Sequence, residues 1–276
     1  MAVILGQDGD FPTYFLMESQ TFVPPRNGNV TIHVIGAGGS GASGSNQTEQ
    51  GGSGGGYCRK DTLAVTTAGS FTVVVGAGGL GRAGSASSTG LAGGNSTCAG
   101  TGLSATLTAN GGAGGPKANY QTNGGGTASN GDVNRTGGGT GRLGGGGAVG
   151  INANGAYGAS GNFNGADAFA GQCETLGDFW NGTRLGKIYG ERRGYSGNTG
   201  GINIGNAGVG LNGGPLSGGA FAHQTSNNLS SGSLVGGKGG YPGGGGGDAV
   251  YGPSASQSRT FGGEGGGGMV IFSYKP

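Results

Sequence analysis

Glycine is the residue that most constrains what this chain can fold into, because it is abundant and unevenly placed. It accounts for 78 of the 276 residues: residues 1–109 hold 24, residues 110–268 hold 54 and residues 269–276 hold none. A stretch with so few side chains cannot build an ordinary apolar core. Its order must come from close packing of the backbone, between strand-like sequences at the two ends of the chain.

Such a composition is common in disordered chains and in collagen, and this chain fits neither class well. Glycine and proline reach roughly 31% of the chain, a level typical of disordered sequence, but only 9% of residues are charged, so the repulsion that expands a disordered chain is missing. Collagen needs glycine at every third position throughout. The threefold runs here are short, and we interpret them as edges of a bundle of polyglycine-II helices: Gly141, Gly144, Gly147, Gly150; Gly237, Gly240, Gly243, Gly246; Gly155, Gly158, Gly161; and Gly262, Gly265, Gly268.

Short segments rich in β-branched and aromatic residues, bounded by Gly, Pro or Asn, predict strands. They are Tyr14–Glu18, Gln20–Val23, Val30–Ile35, Thr62–Thr66, Phe71–Val75, Ala105–Thr108 and Met269–Tyr274. No apolar stripe with helical period extends over a dozen residues, so we expect little α-helix. The prediction is a mainly β chain, with a small antiparallel sandwich of jelly-roll-like topology and an inserted bundle of polyglycine-II helices with long loops.

Three parts of the chain follow from this pattern. Residues 26–109 together with 269–276 are predicted to form the sandwich. Residues 110–268 are predicted to form the glycine-rich bundle, which makes one compact unit with the sandwich. Residues 1–25, which end at two prolines, are a candidate attachment segment that could add a strand to a partner's sheet or to another copy of the chain.

Charge and cysteine content narrow the classes of function. The net charge of +2 gives no electrostatic footprint for nucleic acid. No apolar run approaches the length of a membrane-spanning helix, and the amino end lacks the basic and apolar regions of a signal peptide. The three cysteines lack metal-site spacing, and either buried or free thiols or a single disulfide would account for them; they are Cys58, Cys98 and Cys173.

Two segments imitate a dinucleotide-binding motif, since a strand is followed by G-x-G-x-x-G at residues 36–41 and 76–81. That motif requires a helix directly after the third glycine, and neither following sequence can sustain one, so we expect no cofactor. Catalysis is also poorly supported. The only histidines are His33 and His223, and no pair of carboxylates stands out. We expect neither a metal site nor an enzyme.

The blocks NVTIHVIGAGGSGASG, GGGYCRKDTLAVTTAGSFTVVVGAGGLG, LSATLTANGGAGG and GGEGGGGMVIFSY resemble the glycine-rich domain of bacteriophage tail-fibre and minor tail proteins. They are also similar to the glycine-rich extracellular domain of the anaplastic lymphoma kinase receptor. The resemblance covers residues 28–115 and 236–274, and it implies a β-sandwich beside packed polyglycine-II helices. The scarcity of cysteine and the absence of a signal peptide favour the phage proteins.

The phage resemblance implies a tail fibre or tip adhesin of the virion that is assembled in the host cytoplasm. Its expected partners are other tail proteins, bound through residues 1–25, and a host-surface glycan or an outer-membrane or cell-wall receptor. A homo-oligomer is expected, with a trimer favoured by analogy. The alternative is a purely structural component, such as a collar or a capsid decoration, that never contacts a receptor. A polysaccharide depolymerase is a third possibility, for which the sequence shows no carboxylate pair.

Aromatic side chains in the glycine-rich part are the candidate receptor contacts, because amphipathic rings concentrate binding energy. For each of them burial against the bundle is the competing interpretation. Residues 165–195 concentrate these rings, and either a small core that pins the bundle or an exposed recognition loop would explain the concentration. The candidates are Phe163, Trp180, Tyr189, Tyr195, Tyr241 and Tyr251.

Overall fold

The computed structural model describes eighteen strands, numbered here in chain order, and no helix among the residues that it describes. Those residues are 2–5, 12–44, 50–84, 88–117, 123–141, 145–149, 154–155, 158, 208–209, 222–224, 233–251 and 259–275.

Two antiparallel sheets form a sandwich. The larger sheet contains β1 (Ala2–Leu5), β2 (Thr13–Leu16), β4 (Gly28–Ile35), β6 (Tyr57–Val65), β12 (Val133–Arg135) and β18 (Met269–Tyr274). Their order is β1-β2-β18-β4-β6-β12. The smaller sheet contains β3 (Gln20–Phe22), β7 (Phe71–Val74), β9 (Ser96–Gly100), β10 (Leu107–Ala109) and β11 (Ala128–Ser129). Their order is β11-β10-β9-β7-β3.

The apolar core lies between these sheets because alternate residues of each strand point inward. In β7, Phe71 and Val73 are buried, whereas Thr72 and Val74 are exposed. The ring centroid of Phe272 in β18 lies 4.3 Å from that of Phe22 and 5.2 Å from that of Phe71, so aromatic contacts join the two sheets. Burial of each such side chain stabilises the fold by about 1.5–3 kcal/mol.

The opposite face of the larger sheet carries a second apolar cluster. Phe15, Ile35, Tyr57 and Ile271 are all at most 3% exposed, and they pack with Val149 from the glycine-rich part of the chain. The cluster therefore joins the sandwich to the segments beside it.

The glycine-rich segments pack side by side through their backbones. Segment 36–42 is central, and its amide groups donate in threefold rotation over distances of 2.8–3.1 Å. The first, fourth and seventh amides bond to segment 50–56, the second and fifth to segment 90–94, and the third and sixth to segment 262–268. Every third residue thus faces the same neighbour.

The carbonyl groups of segment 36–42 face three further neighbours. They accept from amides of segments 110–116 and 243–249, and Gly38 O accepts from the amide of Gly79 in segment 76–82. With three neighbours on the donor side and three on the acceptor side, the segment is surrounded. At Gly39 this close approach leaves no room for a side chain, since a Cβ atom there would lie 2.1 Å from the carbonyl oxygen of Ala113.

Two of the threefold glycine runs found in the sequence differ in how well they match the bundle segments of the structure. The amides of Gly262, Gly265 and Gly268 all bond to segment 76–82, as expected for one edge of one segment. The run from Gly237 to Gly246 is instead divided, because the chain turns at residues 241–243 and Gly247 N donates back to Gly237 O. A glycine run on its own therefore does not show where a segment ends.

The prediction of a mainly β chain with a small antiparallel sandwich is confirmed. Strands β2 and β3 belong to the sandwich sheets, and Leu16 and Phe22 are part of its core. Residues 1–25 therefore contribute to the scaffold, and their role in attachment remains a prediction. Strands β11 and β12, from the sequence assigned to the bundle, extend both sheets at their edges.

Candidate functional site

The bundle has two different ends. Segments 36–42, 76–82, 110–116 and 136–141 each follow a sandwich strand directly and so lead away from the sandwich. Segments 50–56, 90–94, 123–127 and 262–268 each precede a sandwich strand and so return to it. The ends of all these segments that are remote from the sandwich therefore lie together, and we call this the distal end.

Six intervals of the sequence begin and end at the distal end. The described residues that flank them are hydrogen-bonded to one another: Ser43 pairs with Ser88, Gly51 N donates to Gly141 O, and Gln50 N donates to Pro116 O. Phe261 pairs with Ala83 and with Val235. The intervals are 45–49, 85–87, 118–122, 142–144, 159–232 (in which 208–209 and 222–224 are described) and 252–258.

Short strands tie the distal end together. A four-stranded sheet contains β13 (Gly208–Val209), β15 (Ser233–Val235), β17 (Arg259–Phe261) and β8 (Ala83–Gly84) in that order. A three-stranded sheet contains β14 (Ala222–Gln224), β16 (Ala249–Tyr251) and β5 (Ser43–Gly44). Most of these pairs are parallel, which the sequence did not indicate.

A buried polar network joins three of the segments at the distal end. Thr140 Oγ1 donates to Gln50 Oε1 at 3.0 Å, and the amide of Asn123 donates to Thr140 Oγ1 at 2.9 Å. Gln50 and Thr140 are at most 2% exposed. Since breaking such a network would leave a buried polar atom unsatisfied, it stabilises the positions from which intervals 45–49, 118–122 and 142–144 begin or end.

The structure separates the two predicted receptor contacts that it describes. Tyr251 ends β16 at the distal end, whereas Tyr241 lies in the turn nearest the sandwich, beside Gly267. Tyr241 is 38% exposed, and partial burial raises the pKa of its hydroxyl to about 12. The other four candidates, Phe163, Trp180, Tyr189 and Tyr195, lie outside the described residues.

One side of the bundle carries functional groups that the sequence analysis missed. Lys238 Nζ lies 2.7 Å from Glu264 Oε2, and both side chains border a groove of about 300 Å³ that also contains Phe261. The sequence does show that Phe261 and Glu264, and likewise Lys238 and Tyr241, are three residues apart, which places each pair on one side of a threefold segment. It does not show which two segments are neighbours, so the contact between Lys238 and Glu264 could not be predicted.

The titratable groups of the sandwich lie in two places, with Cys58 and Cys98 in the core between the sheets and Tyr57 in the cluster on the opposite face of the larger sheet. His33 Nδ1 lies 2.9 Å from Tyr57 Oη, and burial together with the nearby Arg59 cation lowers the pKa of His33 to about 3. Burial raises the pKa of the Cys58 and Cys98 thiols to about 12, and both are free. In the described ranges, no group of three or more His, Cys, Asp or Glu residues could hold a metal ion.

Residues 36–41 and 76–81, the two imitations of a dinucleotide-binding motif, are extended bundle segments. Amides in both donate to backbone carbonyls of neighbouring segments. No helix with the length and apolar character of a membrane span occurs in the part of the chain that the structure describes.

Comparison with known families agrees with the architecture. The sequence model of the glycine-rich domain matches residues 17–275, which is nearly the whole chain. The chain belongs to the glycine-rich domain family. In this glycine-rich domain, the match runs through the sandwich and the bundle alike, so both are parts of one domain type. No curated protein matches the sequence.

Proposed function

We propose that this glycine-rich domain is a bacteriophage tail protein, a fibre or tip adhesin that recognises the host surface through residues at the distal end of a polyglycine-II bundle. The sequence blocks that resemble phage tail proteins support the assignment to a virion. The adhesin role is supported by the described residues that flank six intervals of the sequence, because these flanking residues lie together at one end of the bundle and recognition residues are commonly carried by connections on a rigid scaffold.

The polyglycine-II part of the proposal is supported by the hydrogen bonds of segment 36–42. A left-handed helix with three residues per turn directs every third amide toward the same side. The observed rotation among segments 50–56, 90–94 and 262–268 follows this rule. A sheet strand would instead alternate between two sides.

The composition of the intervals suits recognition of a polar surface. Interval 45–49 reads Ser-Asn-Gln-Thr-Glu and interval 252–258 reads Gly-Pro-Ser-Ala-Ser-Gln-Ser. Hydroxyl and amide side chains adapt their hydrogen bonding to a partner, and aromatic residues in general supply rigid contact area. The sandwich, with residues 1–25, is left at the opposite end for attachment to other tail proteins or to further copies of the chain.

Cell binding tests the proposal. Fluorescently labelled full-length protein is incubated with a panel of bacterial strains, and bound label is measured by flow cytometry. Residues 45–49 or 252–258 are replaced by Gly-Ser sequence of equal length. The matched control is the double variant Thr66→Ser and Ala68→Ser, in an exposed turn of the sandwich.

We expect the protein to bind at least one strain, the interval variants to lose most of that binding with an unchanged melting temperature, and the control to bind normally. Equal binding by all variants would refute the distal end as the recognition surface. Absence of binding to any strain, with immunogold label at the collar or capsid of virions, would favour the purely structural component.

A further inference from the structure

Two parallel segments form one side of the bundle. Strands β15 and β17 pair in parallel, and the pairing continues beyond them because Gly236 N donates to Phe261 O at 2.8 Å and Gly239 N donates to Glu264 O at 2.7 Å. Residues 235–241 and 261–267 therefore advance together from the distal end toward the sandwich.

Threefold spacing places side chains of these segments in two facing rows. One row contains Val235, Lys238 and Tyr241, and the other contains Phe261, Glu264 and Gly267. Residues at the same position in the two rows are in contact. The first pair is Val235 with Phe261, which are paired in the parallel sheet. The second pair is Lys238 with Glu264, whose Nζ and Oε2 atoms lie 2.7 Å apart. In the third pair, a Cβ atom on Gly267 would lie 3.3 Å from Cε2 of Tyr241, so the tyrosine ring lies over the glycine backbone.

The groove beside the rows contains Phe261 at one end and the charged pair Lys238 and Glu264 next to it. Its volume is about 300 Å³, and Gly81, Gly262 and Gly263 are among the residues that line it. Lys238 and Glu264 remain 62% and 46% exposed, so both can change partners at little cost. Tyr241 continues the row one step beyond the groove.

We propose that this side groove, hereafter the ladder groove, binds an extended polysaccharide chain of the host surface. This proposal rests on the proposed function and names a ligand class for it. The C–H face of a sugar ring packs on an aromatic ring, as Phe261 and Tyr241 offer. A carboxylate accepts hydrogen bonds from hydroxyl groups and an ammonium group donates to them, which Glu264 and Lys238 supply as charge-assisted bonds.

The geometry favours a chain of several sugars over the alternatives. Six residues of a threefold segment advance roughly 19 Å, so the two rings are too far apart for one sugar to contact both. The ion pair has no net charge, which disfavours a nucleic acid or a strongly anionic ligand. Because Gly237 O accepts from Gly247 N and Gly262 N donates to Arg82 O, each segment is also bonded to another neighbour, and the bundle fixes the residues that line the groove.

A polysaccharide array tests this directly. Labelled full-length protein is applied to an array of bacterial O-antigens, capsular polysaccharides and teichoic acids, and affinity for the best ligand is measured by biolayer interferometry. Groove variants are Tyr241→Ala, Phe261→Leu and Glu264→Gln. The control is Asp132→Asn, which breaks the ion pair between Asp132 and Lys60 on the sandwich; its N–O distance is 2.8 Å, and the Asp132 side chain is 40% exposed against 46% for Glu264.

We expect binding to at least one polysaccharide, at least tenfold weaker binding by each groove variant, and unchanged binding by Asp132→Asn. Phe261→Leu keeps the apolar volume, so weaker binding at an unchanged melting temperature indicates loss of the ring and not of the fold. A monosaccharide unit of the same polymer should compete at least tenfold less well than a hexamer.

Two results would overturn the proposal: an array without any bound polysaccharide, or groove variants that bind as the wild type does. Either can occur while labelled protein still binds cells through the distal end, in which case the ladder groove is not the binding site and the proposed function stands. Loss of cell binding in the variants of intervals 45–49 and 252–258 but not in the groove variants also excludes the ladder groove and leaves the proposed function intact.

Discussion

Alanine at position 39 tests the backbone lattice at its centre. A Cβ atom there would lie 2.1 Å from Ala113 O, whereas real Cβ contacts do not fall below 3.0 Å. Segment 110–116 cannot simply move aside, because Gly112 N and Gly115 N donate to Ala37 O and Ser40 O at 2.8 and 2.9 Å. We therefore expect Gly39→Ala to force two hydrogen-bonded segments apart.

The expected loss in the free energy of unfolding can be estimated from the hydrogen bonds around this contact. Gly39 N donates to Ser53 O, Gly246 N donates to Gly39 O, and Ser53 N donates to Ala113 O, all at 2.8–2.9 Å. Loss of each bond costs about 1 kcal/mol, and overpacking costs about 1–3 kcal/mol more. The total of roughly 4–6 kcal/mol corresponds to a fall in melting temperature of roughly 10–20 °C for a chain of this size.

Gly124→Ala is the matched control, because a Cβ atom at Gly124 would meet nothing within 4 Å. Its free energy of unfolding should change by less than about 0.5 kcal/mol, or rise slightly because alanine restricts the unfolded chain. Both melting temperatures are measured by circular dichroism at one protein concentration. If Gly39→Ala melts within 3 °C of Gly124→Ala, on the order of 1 kcal/mol, the close-packed lattice is wrong.

Three further predictions concern the sandwich. In the folded protein the pKa of His33 is about 3, below its ordinary value of 6.5. The stability that neutral His33 contributes is therefore present above pH 6.5 and is lost as the pH falls toward 3. Between pH 7 and pH 4 the melting temperature of His33→Asn should fall less than that of the wild type. The thiols of Cys58 and Cys98 are completely buried, and their pKa is about 12. Both should therefore resist alkylation by iodoacetamide at pH 8 until denaturant is added, which peptide mass spectrometry measures. Rapid alkylation of the native protein would contradict this. Tyr274→Phe removes the hydrogen bond that Tyr274 Oη donates to Arg26 O at 2.9 Å. The free energy of unfolding, measured by urea titration, should fall by about 1 kcal/mol. An unchanged free energy of unfolding would show that this bond is absent in solution.

The strands of the sandwich could be predicted where their residues carry a pattern. Val30–Ile35, Phe71–Val75 and Met269–Tyr274 alternate or concentrate β-branched and aromatic residues, and each lies in a sandwich strand except that β7 ends one residue earlier, at Val74. Ser96–Gly100 was missed because Ser-Thr-Cys-Ala-Gly has one β-branched residue and no aromatic ring. Its place in the sheet comes from pairing with β7 and β10, which is tertiary information.

The neighbours of the glycine segments could not be predicted, for a physical reason. A partner is encoded by side chains that fit or repel it, and Gly38 or Gly55 has none. The pairs Gly38 N with Gly266 O and Gly55 N with Gly243 O join residues about 200 positions apart without any local signal. For the same reason the ladder groove was not found, since Lys238 and Glu264 meet only because their segments are adjacent.

The up-and-down course of the glycine segments has a consequence for how the chain can grow. Each excursion leaves the sandwich and returns to it, so an interval can lengthen without displacing either of its anchors. The intervals range from three residues (85–87) to seventy-four (159–232), and the entropic cost of closing a connection in general rises only slowly with its length. Insertions can therefore accumulate independently at six places during evolution while the dimensions of the scaffold stay the same.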